Sequence, residues 1–237
     1  MLTLDRTIKD FVTEDFRTAA VFEKYGMDFC CGGGVPLQEA CRKNGIDPET
    51  VHRDLLAVVS TPADPSRDPA TWDTARLVDH IVQVHHNYVR SILPVIQQHA
   101  TKVAHVHGFN HPETIEIAEH MSVVAGEMAA HMQKEEIILF PYLKALSLAR
   151  NEGGPAPAAP FGSVKNPIAM MMAEHVSAGG EMAEVRRLSS DYTPPVDACT
   201  TYRVLYQELA QFEADLHRHV HLENNILFPR AVAQEES

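Results

Sequence analysis

The chain writes one pattern twice. HMQKEEIILFP at 131–141 and HRHVHLENNILFP at 217–229 each contain His, three residues, Glu, three residues, then Leu-Phe-Pro. The first copy supplies His131, Glu135, Leu139, Phe140 and Pro141. The second supplies His219, Glu223, Leu227, Phe228 and Pro229, 88 residues further on. An internal repeat of this kind constrains the fold before anything else does. Residues four apart lie on one face of an α-helix, with Cβ atoms about 5–6 Å apart. Each His–Glu pair can therefore reach a single metal from a single helix.

Helical spacing places both pairs on apolar stripes. Positions −7, −3 and +7 from His131 are Val124, Met128 and Ile138; from His219 they are Phe212, Leu216 and Ile226. Such stripes face a core. Buried carboxylates and imidazoles are costly unless paired, hydrogen-bonded or metal-bound. One such pair reads as a satisfied core hydrogen bond; two copies point to a metal. A rival pair, His217 and His221, has Glu213, Asn224 and Asn225 around it and reads as a solvated face.

The rest of the chain divides accordingly. With 237 residues it fits one large domain, or a domain of roughly 150–170 residues and a small one. Residues 1–60 read as a small helical unit, and the proline-rich stretch at 61–72 as a linker. Four long segments with helical apolar spacing follow, at about 73–100, 112–149, 166–190 and 196–232. NEGGPAPAAPFGS at 151–163 separates the second from the third as an irregular loop. No alternating strand pattern stands out. The expected fold is all-α, with a four-helix bundle over 73–237. Pro141 and Pro229, near helix C-terminal portions, should kink or end their helices.

A metal site needs ligands from the other two helices. The third segment offers His175, flanked by Ile168, Met171, Met172 and Met182 on its helical face. The first offers the adjacent His85 and His86, and periodicity does not choose between them. The total is four His and two Glu. Two bridging carboxylates with two His per metal leave each metal about four protein ligands and an open position. This nitrogen-rich set differs from the carboxylate-rich ferritin-like pattern and favours iron over manganese or zinc.

Composition narrows the function classes. The net charge of −12 with His neutral argues against a nucleic-acid binder or a basic membrane-surface module. No segment reads as a membrane span or a signal peptide, and four Cys make no disulfide framework, so a reducing cytoplasm is expected. Histidine is the outlier: 13 of the 14 lie from His80 onward, dispersed rather than clustered as a tag would be.

YGMDFCCGG at 25–33, HMQKEEIILFP, AEHVSAG and LENNILFPRA together resemble the iron–sulfur cluster repair di-iron proteins, whose main domain is hemerythrin-like. The resemblance spans positions 25 to 231. It implies iron ligands at His86, His131, Glu135, His175, His219 and Glu223, with the two Glu bridging, and so chooses His86 over His85. The implied cofactor is two non-haem iron ions joined by an oxo bridge. The implied function is repair of iron–sulfur clusters damaged by nitric oxide or oxidants, by iron donation. Damaged iron–sulfur proteins are then the partners, and nitric oxide or oxygen the small ligands. A homodimer is compatible with the sequence, and the electron donor is not legible. Rival readings are a nitric-oxide reductase, a hemerythrin-like gas carrier or sensor, and a zinc or metal-free scaffold.

The vicinal thiols Cys30 and Cys31 lie in FCCGGG. They form a mutual disulfide only with strain, and their glycines leave the loop pliable. They read as an iron relay or redox pair, or as two small apolar residues filling the end of the helical unit. Cys41 and Cys199 read as structural. His99, His105, His107 and His111 read as an exposed connection, and the resemblance makes His107 a group near the metal. His80 and His120 read as surface or capping residues. Glu127 and Glu174 are candidate acceptors for ligand imidazoles.

Overall fold

A computed structural model describes residues 4–30 and 32–237. The protein is all-α, with no strand among the described residues. It packs as two compact units, one gathering Met1–Asp79, Leu143–Pro157 and His217–Ser237, the other His80–Tyr142 and Ala158–Leu216.

The first unit begins with four short helices, α1 (Ile8–Glu14), α2 (Ala19–Lys24), α3 (Leu37–Asn44) and α4 (Pro48–Val59). Local chemistry sets their ends. Gly45 takes φ 66° after α3, the left-handed conformation that closes a helix without a Cβ penalty. Asp47 caps α4 by accepting from the Glu49 N–H, and Pro48 fills the first helical position, where its missing N–H costs nothing. Phe11, Phe22, Phe29, Leu37, Cys41 and Leu55 form the core of these helices. Within the same unit the Arg230 guanidinium donates to the backbone carbonyls of Trp72 and Ala70.

The second unit is a four-helix bundle. Its first run is the end of α5 (Thr74–His80), a π-helical turn (Ile81–His86) and α6 (Asn87–His107). The second is α7 (Glu113–Lys134), a π turn (Glu135–Leu139) and the start of α8 (Phe140–Asn151). The third is α9 (Lys165–Leu188) and the fourth α10 (Thr200–His221) as far as Leu216. α7 packs against both α6 and α9. Polar ties join the runs: His99 Nδ1 lies 2.7 Å from Glu208, His120 Nδ1 2.6 Å from Glu181, and Arg186 Nε 3.0 Å from Glu213.

Apolar spacing ends the first long helix near 100 and leaves QHATKVAHVH as a connection. The helix instead continues to His107, because Val103 and Ala100 keep the apolar stripe going over those two turns. Pro94 lies inside α6 and does not end it. In the first unit, a π turn (Leu222–Leu227) leads into α11 (Phe228–Glu236). Pro141 and Pro229 likewise end nothing. Each follows a π turn by two residues. A proline ring collides with the carbonyl four residues back, and a wider turn there relieves the clash without breaking the helix.

Candidate metal centre

Four of the six candidate residues meet inside the four-helix bundle. His86 and Glu135 are fully buried, and His131 and His175 retain 2% exposure. One donor atom each from His131, Glu135 and His175 lies within 4.8 Å of the other two. The Nε2 atoms of His131 and His175 are 3.0 Å apart. Glu135 Oε2 stands 3.4 Å from His131 Nε2 and 3.3 Å from His86 Nε2. Metal–nitrogen bonds of roughly 2.1 Å set at a right angle put two donors roughly 3.0 Å apart, so the imidazole pair already has the separation of neighbouring ligands. In the first unit, His219 Nε2 lies 3.0 Å from Glu223 Oε1, and both side chains are fully buried.

The outward nitrogens are held as well. His131 Nδ1 lies 2.8 Å from Glu174, and His86 Nδ1 lies 2.6 Å from Glu136. An imidazole that donates Nδ1–H to a carboxylate presents its Nε2 lone pair on the other side, the tautomer a metal requires. Lys134 bonds the same Glu174, and Arg90 the same Glu136. Burial alone would raise both carboxyls. The hydrogen bonds from Lys134 and His131 outweigh it at Glu174, and those from His86 and Arg90 at Glu136, so both are held below the usual range.

Three π turns carry three of the six residues: His86 closes one, Glu135 opens the second and Glu223 sits in the third. Such turns gather at functional sites because they re-aim side chains within a continuous helix. Here they also shift the helical phase. Ile138, expected on the core face seven residues after His131, is half exposed. On α9, which has no π turn, Met172 is exposed at the edge of the expected stripe, whereas Ile168, Met171 and Met182 are buried.

Other expectations meet the structure unevenly. Both His85 and His86 point inward; His85 Nδ1 pairs with Asp215 at 2.9 Å, and His86 is the one that meets Glu135. Glu174 accepts from His131 as expected, but Glu127 is bonded by Ser177. Glu136 was missed: no period marks a carboxylate that serves a histidine on another helix. His107 does not serve the centre. Its Nε2 lies 3.2 Å from Cys199 Sγ, at the far end of α6, roughly 30 Å of helix from His86 at 1.5 Å per residue. His99 and His111 are engaged rather than free, the latter by Asp197 at 3.1 Å.

The His217/His221 face is not solvated. His221 is fully buried, its ring 5.6 Å from that of Phe29 and 5.9 Å from that of Phe16. Aromatic residues from the beginning of the chain cover this helix, which local periodicity could not reveal. Cys30 and Cys41 are buried thiols, and Cys199 is exposed. Cys31 lies outside the described residues.

A buried cluster of imidazoles and carboxylate, without sulfur, suits iron and other borderline cations better than soft or purely oxygen-seeking ones. Its fit to a metal rests on the converging Nε2 atoms and the carboxylates behind them.

Comparison with known proteins agrees. The family model described as the hemerythrin HHE cation binding domain matches residues 77–231, and ScdA_N, a domain of unknown function (DUF542), matches residues 4–59. A protein of Enterobacter sp. (strain 638) named Iron-sulfur cluster repair protein YtfE is 34% identical over 231 residues, covering 98% of each chain. Proteins of the same name from Citrobacter koseri and Escherichia coli O17:K52:H18 are 35% and 34% identical over 219 residues, 92% of this chain and 93% of theirs.

Proposed function

The chain belongs to the iron–sulfur cluster repair family with a hemerythrin-like domain, and on that premise we propose that it mends iron–sulfur clusters damaged by nitric oxide or oxidants by supplying iron. His86, His131, Glu135, His175, His219 and Glu223 would hold two non-haem irons, the two glutamates supplying the carboxylates shared between them. Three observations support this set. The His–Glu spacing recurs in both copies, all six side chains are buried, and the hemerythrin match covers all six positions. The single observation that carries the reading is the buried His131–His175–Glu135 cluster with Glu174 behind it.

Two bound irons would supply one-electron redox change and coordination positions open to nitric oxide or oxygen. The chain's own residues decide how tightly iron is held. Glu174 and Glu136 fix the proton of each outer nitrogen, keeping Nε2 of His131 and His86 available. Lys134 and Arg90 keep those carboxylates ionised. Protons compete with iron for the same imidazole lone pairs, which makes histidine a ligand that can let iron go.

The proposed domain division is 1–60, a linker at 61–72, and the hemerythrin-like domain at 73–237, in keeping with family matches at 4–59 and 77–231. No helix of the described residues is long and apolar enough to cross a membrane; the cytoplasm, where damaged clusters and reduced thiols coexist, is the proposed site of action. The test is reactivation of a nitric-oxide-damaged [4Fe–4S] dehydratase. The iron-loaded protein should restore activity, and the metal-free protein and the His131→Ala variant should not. Equal recovery with metal-free protein, or with free ferrous iron at the same concentration, would overturn the reading.

A further inference from the structure

A second cluster of metal-binding donors, separate from the six residues above, joins the start of the FCCGGG loop to the last turns of α10. Asp28, Cys30 and His217 each offer one atom within 4.8 Å of the others. Cys30 is buried and the other two are half-buried. All three belong to the first compact unit.

The loop is built around the Asp28 carboxylate. Its Oδ1 accepts the Cys30 N–H at 2.8 Å and the Cys30 thiol at 3.0 Å, and its Oδ2 accepts the Gly32 N–H at 2.7 Å. The glycines make the wrap feasible: a Cβ on Gly33 would stand 2.3 Å from the Phe29 carbonyl oxygen, a backbone clash with no escape. The Lys9 N–H then ties the Gly33 carbonyl to α1 at 2.9 Å. His217 is placed just as firmly. Its ring lies edge-on to Phe29 at 6.0 Å, and its neighbour Arg218 holds Glu23 through two 2.6 Å bonds.

We infer that Asp28, Cys30 and His217 form a mononuclear site for a divalent cation of the iron–zinc class. Thiolate, imidazole and carboxylate together suit such a borderline cation. Donors around a tetrahedral ion at 2.0–2.3 Å stand roughly 3.3–3.8 Å apart; with all three donors within 4.8 Å of one another, His217 has at most about 1.5 Å to close, and the Asp28–Cys30 pair, at 3.0 Å, needs no closing at all. On binding, the Cys30 S–H bond gives way to a sulfur–metal bond and the proton leaves to solvent. Three protein donors leave a coordination position through which a ligand from an acceptor protein can enter. The site suits a cation in transit rather than a permanently caged one.

Cobalt(II) is the probe, because a thiolate–cobalt charge-transfer band reports sulfur ligation that none of the six His and Glu residues can give. The full-length protein with its His/Glu centre already loaded is titrated with cobalt(II). One further equivalent should bind with that band. Cys30→Ser should abolish the band, and His217→Ala and Asp28→Asn should each weaken binding roughly tenfold or more. Cys41→Ser should leave it unchanged, and retained iron with an unaltered helical circular dichroism spectrum confirms folding of each variant. No band, or a band that His217→Ala and Asp28→Asn leave at wild-type affinity, would overturn the site and leave the Cys30–Asp28 contact as loop structure only. Because iron content is read separately, failure here is distinct from failure of the His/Glu centre.

Discussion

His131 Nδ1 lies 2.8 Å from a carboxylate oxygen of Glu174, which fixes which nitrogen of the ring faces the cluster. Removing that acceptor frees the ring to turn and to take the wrong tautomer. Glu174→Ala should weaken metal binding roughly 10–100-fold with little change in fold, and Glu136→Ala should do the same through His86. Metal titration of each variant checks this, and wild-type affinity in both would remove the outer carboxylates from the account.

Glu135 is a fully buried carboxylate between two imidazoles. Such a group is expensive without a cation beside it. Glu135→Gln should therefore lose iron by tenfold or more while leaving the metal-free protein as stable as wild type or more so. Paired measurements of iron content and thermal unfolding distinguish this trade from a general loss of structure.

Pro141 and Pro229 sit two residues beyond the π turns that carry Glu135 and Glu223. Alanine at either position restores a backbone donor and removes the ring clash, which costs up to about 3 kcal/mol in an ordinary helix interior. The turn should then tighten towards α-helix and move the glutamate. The expected result is higher thermal stability together with weaker metal binding, and gain of the first without loss of the second would detach the prolines from the site.

His221 gives the protein a pH dependence of known sign. Burial pushes its pKa down to about 4 from an ordinary 6.5. The unfolded chain therefore takes up a proton first as pH falls, and stability is lost between about 6.5 and 4. The loss amounts to up to about 3 kcal/mol. His221→Phe, which keeps an aromatic ring between Phe16 and Phe29, should flatten that part of a denaturation-versus-pH curve. An unchanged slope would locate the acid sensitivity elsewhere.

The sequence carried the bundle and the paired His–Glu faces because both are periodic. His131, Glu135, His219 and Glu223 announce themselves by spacing, and His175 by being the lone histidine of its segment. What stayed hidden is tertiary. Glu136 reaches His86 across two helices, and no repeat records that reach. Ile138 turned outward because a π turn reset the phase that an α-helical count assumes. His221 was read as solvated because its cover comes from Phe16 and Phe29, roughly 200 positions earlier in the chain.

Iron stoichiometry combined with a Mössbauer spectrum on the purified protein decides whether the six His and Glu residues hold a di-iron centre. The expected result is two irons per chain, antiferromagnetically coupled through an oxo bridge, and loss of that signal in both His131→Ala and Glu223→Ala. Zinc at stoichiometry, a single iron, or an undiminished signal in either variant would contradict it.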